Sequence, residues 1–161
     1  LPSLLFKGGL ALLDIGIQLI ASFIAAAGFG IIFNAPRQLL IACGFVGMLG
    51  WIVYYTLAAN GMDVLPATVL GAMVVAAFSH FFSRFKKSPI IIFNVSGIIP
   101  LVPGGIAYDA MRNFVVGNYL IGIELSSKVM MLASGIAIGL IFTEVLHTIV
   151  KKMMPTRHRQ A

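Results

Sequence analysis

Residues 87–109 read KSPIIIFNVSGIIPLVPGGIAYD, an apolar run closed by Lys87 at one end and Asp109 at the other. No Asp, Glu, Lys or Arg lies between these two, and the interval of about 20 residues is long enough for a helix to cross a hydrocarbon core of about 30 Å. The run also contains its own interruption. Pro100 and Pro103 each remove an amide donor, and Gly104 and Gly105 follow directly. An unbroken helix through this point would cost several kcal/mol, so a break is predicted at Pro100–Gly105. Counted from Ser88 at about 1.5 Å per residue, the break falls roughly 20 Å into the bilayer. Irregular backbone at that depth is tolerated only inside protein or beside a water-filled cavity.

The rest of the chain repeats the pattern without the break. Charge-free runs separate Asp14 from Arg37, Arg37 from Asp63 and Asp63 from Arg84, and a fifth apolar run from Lys128 to Val150 holds only Glu144 and His147 as interruptions. The 161 residues are 60% hydrophobic and 10% charged, with a mean hydropathy of +1.02. A soluble domain carries roughly 25% charged residues. The composition therefore excludes a soluble enzyme, a disulfide scaffold and a disordered chain. The expected fold is all-α: one transmembrane domain over 1–161 with spans at roughly 10–33, 38–59, 64–83, 89–102 continuing through 104–117, and 126–150. Pro36 ends the first span, since it disfavours helix at Ala35, and Asn60-Gly61 turns the chain after the second. Ala25-Ala26-Ala27 resembles a signal-peptidase site, but Asp14 and Gln18 interrupt the would-be signal core, so a retained helix is expected.

The net charge of +6 sits at span ends and not on a nucleic-acid-binding surface. Eight basic residues (Arg37, Arg84, Lys86, Lys87, Lys151, Lys152, Arg157, Arg159) fall on one side of a five-span arrangement, and Lys7, Arg112 and Lys128 fall on the other. The positive-inside rule then puts the N-terminus outside and the C-terminus in the cytoplasm. No nucleotide-binding loop, metal-ligand cluster or nucleophile–base pair is present, so neither a cofactor nor a metal nor an enzymatic activity is expected. The lone Cys43 sits within a span and suggests packing. Small residues such as Ala26, Gly30, Gly44, Gly47, Gly50, Gly135 and Gly139 promise close helix contacts, internal or with another chain.

Polar residues inside spans are the candidate functional groups. At the break, amides of Gly104, Gly105, Ile106 and Ala107 would be freed at a half-helix N-terminus, where anions bind. Asn94, Ser96, Tyr108 and Asp109 flank them, and with Pro100 and Pro103 complete the expected substrate site. Asp109 and Arg112 are spaced to pair on the helix after the break. Asp14, Gln18 and Ser22 form a stripe on the first span. Glu144 and His147 share a face near the end of the last span; they could relay a proton, or simply reach the interface with Lys151 and Lys152 as His80 does with Arg84.

The stretch from Ile98 to Met111 resembles the signature of the bacterial threonine/serine exporter family, and Gly28–Pro36 with its Phe33-Asn34-Ala35-Pro36 turn is similar to the same family nearer the N-terminus. The closer likeness is to the small subunit that corresponds to the C-terminal membrane half of that family. The resemblance implies a secondary exporter of threonine and serine, or of a dicarboxylate such as succinate, in the bacterial inner membrane. It also implies a larger partner subunit with a cytoplasmic domain and about five spans of its own, in a hetero- or homo-oligomer. Apart from the resemblance, Asp14, Gln18, Asn34, Glu144 and His147 are the candidates for a polar pathway or proton relay. A membrane scaffold without a substrate path is the alternative expectation, and the broken fourth run argues against it.

Overall fold

The computed structural model describes residues 2–153, with side chains from Leu13 onward; Arg157 and Arg159 of the charge count lie outside the described residues, as does the Lys7 side chain. Among these residues every regular element is helical. The helices are α1 (Pro2–Ile32), α2 (Leu40–Ala59), α3 (Val64–Lys86), α4 (Ile90–Ile98), α5 (Gly104–Val116) and α6 (Tyr119–Met153), with single 3-10 turns at Arg37–Leu39 and Ile99–Leu101. Four of them are long and apolar enough to span a membrane, and α4 with α5 makes a fifth span bent by 57°. The expected break is therefore present where Pro100 and Pro103 interrupt the amide ladder.

Three of the helix ends close alike. Asn34, Gly61 and Gly117 take positive φ after α1, α2 and α5. Each donates its amide three residues back, and the next residue donates five back: Ala35 to Gly30, Met62 to Leu57, Asn118 to Asn113. This paired closure satisfies orphan carbonyls and turns the chain at once. After α3, left-handed Lys87 does the turning, with Ser83 Oγ donating to Ser88 O at 2.6 Å. Pro89 then precedes the first turn of α4, where its missing amide is not needed.

The core is built by backbone approach. On α1 the buried Ser22, Ala26 and Gly30 face α2, and Leu13, Ile17, Ile20 and Ile24 point outward. A methyl placed on Gly47 would lie 2.4 Å from Ala26 Cβ, and one on Gly50 would lie 2.3 Å from Val75 Cγ2. In lipid, where apolar side chains gain little by hiding, such fits supply the dispersion that holds helices together. Helix α4 is wedged among α1, α2 and α3, with Phe93 fully buried and the Gly97 position crowded by Val46 and Val75.

Beyond the break the chain leaves this core. The extensive contact of α5 is with α6 alone, through the Phe114 ring against Gly122. Helix α6 runs parallel to α3: Gly135 meets Leu65, Gly139 meets Val69 and Thr143 meets Met73. It begins at Tyr119, ahead of the apolar span expected from 126. Glu124 and Lys128 mark where apolar composition starts, but charged residues do not stop a helix, and Gly117 lets α6 begin as soon as α5 ends. The 35 residues of α6 span about 52 Å at 1.5 Å per residue, more than a bilayer core requires, so the helix crosses obliquely or protrudes.

Candidate functional site

The break is set by its prolines. The 3-10 turn Ile99–Leu101 carries Pro100, and Val102 then turns extended at ψ 128°. Pro103 stands immediately before α5. Four free amides were expected here, and two of them are engaged: Gly104 N–H donates to Val102 O at 2.7 Å, and Ala107 N–H donates to Pro103 O at 3.0 Å. The tight turn at Pro103 folds the Gly104 donor back, and Ala107 makes the first i→i−4 bond of α5. Gly105 and Ile106 remain as the open donors at the start of a 13-residue helix, the end that carries the positive pole of its dipole. A methyl group on Gly104 or Gly105 would meet nothing within 4 Å. Nothing within the described chain requires glycine at either position.

The structure distributes the other expected residues over three places. Pro100 lines a recess of about 190 Å³ together with Gln18, Ala21, Ser22, Ala25 and Trp51. There Trp51 Nε1–H donates to Gln18 Oε1 at 2.9 Å, and Ser22 Oγ–H donates to Leu19 O. Gln18 is thus fixed beside the break and keeps its own amide donors. The sequence reading did not single out Trp51. It is the only Trp, and an indole N–H inside a span needs an acceptor, which was the available signal.

A second group is buried in the α4 core. Ser96 is 1% exposed, its hydroxyl has no partner, and the Asn94 side-chain oxygen and Ser79 hydroxyl are likewise buried without one. Buried polar atoms normally find partners, so three orphans near one half-helix mark this stretch as unusual. Ser79, from α3, became visible only when the helices were packed.

The third group lies on the outward side of α5. Tyr108 is 70% exposed, and Asp109 and Arg112 are exposed as well. The expected Asp109–Arg112 pair does not form: the one ion pair among the described residues joins His80 to Glu144. Instead Asn113 donates to the Asp109 carbonyl, and the two charged side chains project separately.

Of the remaining candidates, Asp14 is exposed one turn before Gln18. Asn34 is the left-handed residue that closes α1, a position asparagine occupies more readily than other non-glycine residues. Glu144 and His147 do share a face of α6. They meet His80 and Arg84 of α3 across the interface, a contact between residues more than 60 positions apart that helical spacing alone could not reveal.

A multi-pass, all-helical bundle with one span broken next to a recess that holds Gln18 and Trp51 has the architecture of a membrane transporter. Residues 18–146 match the family described as Threonine/Serine exporter, ThrE. The chain belongs to that family, which is one of exporter-type membrane transporters. No solved structure matches it.

Proposed function

We propose that this chain is one membrane half of a secondary exporter, and that the carboxylate of a small metabolite binds at the broken fourth span. The observation that carries the reading is the pair of open amides at Gly105 and Ile106, beside two glycines that no internal packing demands. Backbone donors at a helix N-terminus suit an anion or a zwitterion, and the absence of side chains at Gly104 and Gly105 allows close approach. Threonine, serine and a dicarboxylate such as succinate all carry the required group.

The exposed Asp109 and Arg112 support a second membrane chain. Exposed charges at the closing end of a span are costly wherever lipid reaches them, so a protein surface or water covers them in the working transporter. A larger subunit with a cytoplasmic domain and five spans of opposite orientation would complete an inverted pair in the inner membrane. The N-out, C-in orientation assigned from charge is part of this reading. A thiol probe at Met62→Cys should react from outside intact cells and one at Lys86→Cys should not; the reverse pattern would remove the inverted-pair argument.

The deciding experiment is efflux of labelled serine, threonine and succinate from cells with and without this chain and a candidate larger subunit. Loss of efflux of one of them in Gly104→Val and Gly105→Val, at matched membrane levels, is the expected result. Wild-type rates in both variants would reduce the break to a packing kink.

A further inference from the structure

Four polar side chains from two helices meet toward the C-terminal ends of α3 and α6. His80 Nε2 lies 2.7 Å from Glu144 Oε2, and Arg84 Nη2 lies 3.0 Å from His147 Nε2. The two imidazoles stack, with centroids 3.9 Å apart and planes 20° from parallel. Counting donors assigns the protons. A guanidinium only donates, so His147 Nε2 must accept, and that ring is neutral with its hydrogen on Nδ1. An ionised carboxylate only accepts, so His80 Nε2 carries the hydrogen given to Glu144. The stacked rings therefore play opposite roles.

The same interface is held differently along its length. At Gly135 and Gly139 the fit is steric, with the Gly139 position 2.6 Å from Val69 O if a methyl were added. Past Thr143 the polar contacts between the helices are these two pairs, Leu146 borders one groove with Met73 and Ala77, and Val145, Ile149 and Val150 are exposed. From Gly139 to His147 the helix advances about 12 Å, which gives the end of α6 a lever beyond its tight contact.

We propose that these four residues form a proton-operated latch between α3 and α6. With His147 neutral, Arg84 donates to it and the latch is closed. Protonating His147 turns its acceptor into a donor aimed at a donor, and sets a cation against Arg84 and over the His80 ring. Of the other groups that act on His147, Lys151 on α6 adds positive charge and Glu144 supplies the negative charge. Glu144 is already engaged by His80. Acidification therefore opens the latch, and the end of α6 swings about the Gly139 contact.

The test uses the full chain in lipid nanodiscs, with Cys43→Ala and spin labels at Phe85→Cys and Ile149→Cys. The distance between labels should lengthen by several ångströms from about pH 8 to about pH 5, the range over which imidazoles titrate. Arg84→Lys, another donor-only cation, should keep this response. Arg84→Gln should abolish it, because an amide can donate to the neutral ring and accept from the charged one. His147→Phe should also abolish it while preserving a stacked ring. An unchanged wild-type distance, or a full response in Arg84→Gln, would overturn the latch. If His147→Phe does not fold, the two Arg84 variants decide. The readout is a distance and not a flux, so its failure is separate from failure of the proposed substrate site.

Discussion

Glycine does opposite things in two regions of this molecule. In the α1–α4 core and along α6 it is a contact surface: Gly47, Gly50 and Gly139 stand where one added methyl would collide with Ala26, Val75 or the Val69 carbonyl. At the start of α5, Gly104 and Gly105 have open space around them. The first set explains how a chain with few polar contacts between helices holds together in lipid. The second set has no such explanation within the described chain, and this points outward, to a ligand or to another protein.

The largest effect is expected where the collision is with backbone. Gly139→Val should force α6 from α3, with a loss of about 3 kcal/mol or more, since overpacking usually costs 1–3 kcal/mol and a main-chain oxygen cannot rotate away. Thermal unfolding in detergent would check it, and a wild-type midpoint would contradict the tight contact. Gly47→Ala and Gly50→Ala should each lose about 1–3 kcal/mol, because the opposing atoms belong to side chains on helices that can shift slightly.

The comparison sharpens at the break. Gly104→Ala and Gly105→Ala should leave stability unchanged or raise it by about 0.4–1 kcal/mol, because alanine reduces the freedom of the unfolded chain at a compatible helical position. The valine variants should fold as well and yet lose efflux. A stability loss in them as large as that of Gly47→Ala would erase the distinction between the two regions. Pro103→Ala should restore an amide able to extend the helix, and so impair efflux with little loss of folded protein.

Smaller effects belong to the polar fringe. Trp51→Phe removes the donor to Gln18 and should cost about 1 kcal/mol, the usual net worth of one hydrogen bond. Tyr108→Phe and Asp109→Asn should alter efflux modestly or for one substrate only, since both side chains project from α5 without contributing to the fold. Kinetics for two labelled substrates would separate these cases.

Much of the architecture was legible in the residues. Charge-free runs located the spans, because a charge inside hydrocarbon is expensive wherever the helices pack, and Pro100, Pro103 and the glycines located the break, because a missing amide is a local fact. The start of α6 was not legible for the complementary reason: charge marks the edge of an apolar segment and not the end of a helix.

Relations between distant residues were decided by the tertiary structure. Helical spacing set Glu144 beside His147, but the parallel packing of α3 against α6 supplied His80 and Arg84. The sequence placed Gln18 on a polar stripe, and the antiparallel packing of α1 on α2 joined it to Trp51 and set both beside Pro100. Spacing allowed Asp109 to pair with Arg112, and in the folded chain each projects alone. By itself the sequence determined what cannot be avoided locally: which segments must leave water, where the amide ladder fails, and which turns need a left-handed residue. Which glycines touch and which stand open depends on how separate helices meet, and the steric fit that settles it exists only once they are packed.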